Sequence, residues 1–188
     1  MLEQAEDKRY NVKMTCLDML IPAGHLLRKI ERTIDFTEIY NMVEHLYCED
    51  NGRPAVDPVV LVKMVLLQHL YGIKSLRQTV REVDMNIAYR WFIGYDIDTP
   101  IHHFATISYA FATRFPSEVF EDIFTWILGA AVAKGLIKAD TIFIDATHIR
   151  ANANRKKSRK EWVRKMARVY DERLREEINA IDLALETM

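Results

Sequence analysis

Apolar residues recur at three- and four-residue spacing along most of this chain, with short breaks between the repeats. That spacing places side chains on one face of an α-helix. Residues 1–22 are polar and mixed without a sustained period, and they read as a loosely held, flexible arm. Asp35 followed by Glu38 fits a capping box, and Ile39, Met42, Val43, Leu46 and Tyr47 beyond it share a helical face. Asn51-Gly52 and Pro54 mark a turn. Asp57-Pro58 starts a helix in two ways: the carboxylate accepts a free N–H, and proline stands where its missing N–H has no partner to lose. The run Val59–Tyr71 is apolar nearly all round and stops at Gly72, which predicts the central helix of a bundle. Ser75 with Gln78 opens a helix to about Asp84, and Asn86 caps another over Ile87–Ile93, closed by Gly94. After a loop over Tyr95–His103, helical spacing resumes at Phe104–Phe115 and again, past Pro116-Ser117, at Glu118–Lys134.

Beyond Gly135 the pattern changes. Thr141-Ile142-Phe143-Ile144-Asp145 is β-rich, and Thr147–Ala151 reads as its continuation or as a second strand. From Ser158 to Leu185 apolar positions return to helical spacing (Trp162, Met166, Val169, Tyr170, Leu174, Ile178, Ile181, Leu185) between charges. The fold class expected is mainly α. A helical module over 23–137 follows the arm, and 138–188 supplies the first strand or strands of an incomplete sheet plus a long amphipathic helix.

Charge sharpens this division. The net charge is only −1, yet residues 150–168 hold nine Lys/Arg against the single acid Glu161, and acidic stretches flank them. Such a block meets nucleic acid or solvates a helix face, and pattern alone leaves both open. Cys16 and Cys48 lack metal-ligand or redox spacing, the chain opens with no secretory signal, and its longest uncharged apolar run, Ile123–Ala133, is too short for a membrane span. A cytoplasmic protein without a membrane partner is expected.

Three constellations could carry chemistry. Asp145 closes an apolar β-rich run, where a rigid strand end could hold a divalent cation; the same pattern also suits an aspartate that merely starts a turn. Arg150, Arg155, Lys156 and Lys157 open the basic block and could neutralise phosphates. The helix pair Pro58–Tyr71 and Ser75–Asp84, joined through Gly72-Ile73-Lys74, has helix-turn-helix proportions, and its second helix carries Lys74, Arg77, Gln78 and Arg81. An ordinary helical hairpin turning charges to water has the same pattern. His102-His103 fit loop polarity, His69 a partly buried position, and Tyr89, Trp91, Phe92 and Tyr95 a core seam, each better than a ligand or base-stacking role.

Together these stretches resemble a known family. Arg53-Pro54 with Asp57-Pro58, Tyr71-Gly72-Ile73 with Ser75-Leu76-Arg77, Arg90-Trp91-Phe92-Ile93-Gly94, and Asp145 before Thr147-His148-Ile149 are similar to the N-terminal part of bacterial insertion-sequence DDE transposases, of the insertion-sequence five and eleven-eighty-two groups. The resemblance spans about residues 25–185. It implies a helical DNA-binding and assembly module ahead of a ribonuclease-H-like catalytic domain, with Asp145 as first of three catalytic, metal-binding acids and 158–188 in a helical insertion. It also implies Mg²⁺ or Mn²⁺ in the intact enzyme, terminal inverted repeats as DNA partner, and hydrolytic cutting followed by strand transfer. Ala146 and Ile101-His102-His103-Phe104-Ala105-Thr106 depart from the usual pattern, and the second Asp and the Glu would fall beyond Met188. The expectation is therefore a truncated transposase that binds transposon ends, holds no metal stably and does not cut DNA alone. The alternative is a helical interaction module that pairs with itself or with full-length transposase and regulates it.

Overall fold

A computed structural model describes residues 7–47, 55–136 and, with 170, 173 and 177 excepted, 168–180. The expected strands, and with them Asp145, Arg150, Arg155, Lys156 and Lys157, lie outside the described residues. Within them the chain is mainly α-helical and has no strand: α1 is Leu17–Leu20, α2 Leu26–Thr33, α3 Glu38–Val43, α4 Pro58–Leu70, α5 Leu76–Met85, α6 Ile87–Ile93, α7 Phe104–Arg114 and α8 Ser117–Ala133.

The bundle is organised around α4. Nine of its 13 residues are buried, including Leu61, Val62, Val65 and Leu67, and α3, α5 and α6 pack against it. Its ends are fixed locally. Asp57 accepts the Val59 N–H at 2.7 Å, and Pro58 follows as the first helical residue. At the far end Gly72 adopts φ +62°, a left-handed conformation open to glycine at little cost, while the Ile73 N–H reaches back to Gln68 O at 2.8 Å. That closure turns the chain sharply towards α5. Ser75 Oγ then accepts the Gln78 N–H at 3.2 Å, and Asn86 Oδ1 accepts from Ala88 and Tyr89 to start α6.

Asp35 behaves differently from its sequence reading. Its carboxylate accepts the Thr37 hydroxyl at 2.6 Å and the Thr37 N–H at 3.2 Å, making a local turn, so α3 starts at Glu38 without a side-chain cap. The threonine two residues on competes for the acceptor. Helix α3 is also short and passes into a 3₁₀ turn, Glu44–Leu46.

Part of the stretch read as an arm is held in place. Asp18 in α1 pairs with Arg28 at 2.8 Å and accepts the Trp91 indole N–H at 3.0 Å, and Arg28 lies over the Trp91 ring at 4.8 Å. These bonds fasten α1 to α2 and α6, although α1 itself buries no residue.

Helices α7 and α8 close the core through an aromatic ladder: Phe111, Phe115, Phe120 and Phe124, with Phe120 stacked on Phe124 at 4.5 Å. The helical residues between 168 and 180 join the same core. Leu174 and Ile178 are buried in it, Arg175 donates to Phe115 O at 3.1 Å, and Arg168 pairs with Glu121. Arg168, the last cation of the basic block, thus meets α8, and Arg175 beyond it meets the end of α7.

Candidate nucleic-acid interface

Helices α4, α5 and α6 pack mutually, and each offers solvent something different. Helix α4 is buried nearly all round. Helix α6 buries Tyr89, Arg90, Phe92 and Ile93, so little of it remains to meet a ligand. Only α5 divides cleanly. Leu76, Thr79 and Val83 point into the core at helical spacing, while Lys74 in the preceding turn and Arg77, Gln78, Arg81, Glu82 and Met85 face outwards. Three expected contact residues, Lys74, Arg77 and Arg81, therefore share one exposed surface. Among the described residues no salt bridge engages any of them.

Arg77 is the most constrained of the three. Its guanidinium lies 4.3 Å from the centroid of the Phe104 ring, at the start of α7. Phe104 is held by the core, with 7% of its surface exposed, and the His103 ring packs beside it at 4.2 Å. The His103 Nδ1 atom accepts the Ala105 N–H at 3.3 Å and caps α7. Loop polarity accounted for this histidine in the sequence, whereas it acts as a helix cap. No spacing rule links positions 77 and 104, so the sequence carried no signal for their contact.

The cations inside the module have other work. Arg90 is buried and donates to the Asp84 and Asp96 carbonyls at 3.0 and 2.9 Å, to the Thr99 carbonyl at 2.8 Å and to the Asp84 carboxylate at 2.6 Å. It ties the loop after α6 to the end of α5. Lys63 pairs with Glu31 at 2.8 Å and sits against the Phe36 and Phe92 rings at 4.6 and 5.0 Å. Both ions are satisfied inside the protein, so among the described residues of α4 to α6 the positive charge without an acid partner lies on α5 and the turn before it.

The aromatic cluster also divides. Phe92 is core, meeting Phe36 edge-on at 5.8 Å, and Tyr89 packs on Tyr71 at 4.9 Å. Trp91 instead serves Asp18 and Arg28. No group of three or more His, Cys, Asp or Glu among the described residues could hold a metal ion, and the expected metal ligand, Asp145, lies outside them. No helix among them is long and apolar enough to cross a membrane.

Residues 15–113 match the family model described as Transposase domain (DUF772). The chain belongs to this transposase-domain family. No curated protein and no solved structure matches it. The match runs from the residue before the α1 cap nearly to the end of α7, and so contains Asp18, the α4–α5–α6 unit and the Arg77–Phe104 contact. A role connected with transposition follows from membership.

Proposed function

We propose that this chain is the DNA-binding part of a DDE transposase of the insertion-sequence five and eleven-eighty-two type. It engages terminal inverted repeats through α5, with Arg150, Arg155, Lys156 and Lys157 adding phosphate contacts. The supporting observation is the exposed stripe of Lys74, Arg77 and Arg81, which no described acid pairs, on α5 and the sharp glycine turn before it, within a transposase-family domain. The second helix of such a unit presents its N-terminal residues to base edges, and the flanking cations meet phosphates.

Within these 188 residues the proposed activity is binding without cutting. Two-metal phosphoryl transfer needs several converging carboxylates, and the resemblance assigns one, Asp145, to this sequence. Mg²⁺ or Mn²⁺ belongs to the intact active centre in this reading. The deciding experiment is fluorescence anisotropy of the full chain on duplexes from the ends of its own element, at 50 to 200 mM salt. Affinity should fall steeply with salt, and Arg81→Ala should reduce the slope by about one. Salt-independent affinity, unchanged in Arg81→Ala, would refute the reading. Mg²⁺-dependent nicking by this polypeptide, abolished in Asp145→Ala, would refute its non-cutting part.

One observation favours a second reading, the interaction module. Tyr10, Val12 and Met14 stand almost fully exposed, and an apolar groove between α2, α4 and α8 has Leu26, Leu70 and Leu136 exposed along it. Apolar surface of this kind suits a protein partner such as a second copy or full-length transposase. Co-purification with full-length transposase, unaffected by Arg77→Ala and Arg81→Ala, would favour it.

A further inference from the structure

We infer that Arg77 and Gln78 are the sequence-reading residues of this module, recognising a guanine and an adenine respectively, and that Phe104 of α7 positions the arginine. This rests on the DNA-binding reading above and goes further by separating the side chains that read sequence from those that only hold the duplex.

The separation comes from geometry. Arg77 and Gln78 are the second and third residues of α5, close to the end that a helix-turn-helix presents to base edges. Lys74 lies before the helix, and Arg81 is its sixth residue, about one turn further along. Gln78 already has its backbone N–H occupied by Ser75 Oγ, which fixes the main chain beneath it. Its side-chain amide makes only a 3.5 Å approach to Glu82, a contact weak enough to be exchanged for a base. A glutamine amide offers one donor and one acceptor side by side, the complement of adenine N7 and N6.

The contact with Phe104 makes Arg77 more than another exposed cation. A guanidinium held over a ring can lay its flat face against it, which leaves its in-plane N–H donors free for a ligand. Those donors match guanine O6 and N7 bidentately. Because Phe104 is set in the core, the fork is held before DNA arrives, and less rotamer freedom is lost on binding. Lys74 and Arg81, with no described ring or acid to aim them, suit phosphates.

Selection of the full chain on a randomised duplex pool, followed by competition with single-base variants of the selected site, tests this. Wild type should select a site with a guanine and an adenine close together. Arg77→Ala should lose discrimination at the guanine alone, and Gln78→Ala at the adenine alone, by roughly 5- to 150-fold. Arg77→Lys keeps the charge but lacks the planar fork, and should lose the guanine preference while retaining affinity for scrambled DNA. Phe104→Leu should do the same more weakly. Should Phe104→Leu fail to fold, Arg77→Lys decides, since its site is exposed. Binding with no base preference, or Arg77→Ala and Gln78→Ala weakening all sequences equally, would overturn the assignment while leaving DNA binding intact. Loss of salt-sensitive binding altogether would overturn both.

Discussion

Helices α4 and α5 are neighbours across a five-residue turn, yet they solve opposite problems. Helix α4 is surrounded by α3, α5 and α6 and keeps almost nothing for solvent. Helix α5 buries Leu76, Thr79 and Val83 and leaves its remaining faces outside. A helix with apolar residues all round is fixed by its neighbours and can move only if they move, so its substitutions register as stability. A helix anchored along one stripe can exchange its outer residues at little cost, so its substitutions register as recognition. On the proposed function, the contrast separates scaffold from interface within a single helical hairpin.

The largest effect should come from hollowing the scaffold. Leu67 is fully buried in α4, and Leu67→Ala should lower unfolding free energy by about 2–5 kcal/mol, as lost burial and a residual cavity add together. Urea denaturation checks this. A loss below about 1 kcal/mol would mean that α4 is not the centre of the core. Any change in DNA sequence preference that persists in the folded variant would break the division between the helices.

Next comes the arginine that joins the two regions. Arg90→Ala removes four hydrogen bonds and leaves the Asp96 and Thr99 carbonyls to find water; a loss of about 2–3 kcal/mol is expected, tempered because Asp84 is more than half exposed. Arg90→Lys should recover less than half, since an ammonium cannot reproduce the planar fork that bridges three segments. Thermal melts of the two variants give the comparison. Full rescue by lysine would mean that charge alone holds the loop.

How far the sequence foretold this depends on the range of each interaction. Asp57, Ser75 and Asn86 act on N–H groups two or three residues ahead, and Gly72 and Gly94 close helices over a few residues. These local devices were readable because both partners lie within one turn. Asp35 misled for the same reason: Thr37 lies equally near and takes the carboxylate. Helix α2 has a readable pattern in Leu27 and Ile30, but α1 does not; its hold on α6 runs through Asp18 and Trp91, 73 positions apart. The basic stripe of α5 was visible as helical spacing. The ring against which Arg77 lies, and the burial of Lys63 and Arg90, depend on tertiary neighbours that no periodicity encodes.

A smaller effect is expected at the start of α4. Asp57 caps the helix through one oxygen and accepts the Tyr40 hydroxyl at 2.7 Å through the other. Asp57→Ala should cost about 1–2 kcal/mol, the upper part of the range for a lost cap. The same contact has a pH signature. Partial burial, with Asp57 adding hydrogen bond and charge, pushes the Tyr40 phenol up to about 12. The folded state therefore favours the neutral phenol, and this contribution is fully present below about pH 10 and lost as the pH rises through 12. The alkaline absorbance difference between wild type and Tyr40→Phe should show this tyrosine ionising late. Ionisation near pH 10 would mean that the Tyr40–Asp57 bond is not made in solution.

The smallest stability effect should come from the outer face of α5, where the comparison is most exposed to refutation. Arg81 is exposed, meets no described acid, and replaces well with another good helix former, so Arg81→Ala should leave unfolding free energy within about 0.5 kcal/mol of wild type. Its removal should still weaken DNA binding uniformly across sequences, because a released phosphate contact lowers affinity without regard to base. A large loss of stability would make α5 a second piece of scaffold, and its charges a compensated surface. An unchanged melt with a reduced salt slope would place recognition on the helix of this hairpin that contributes less to the core.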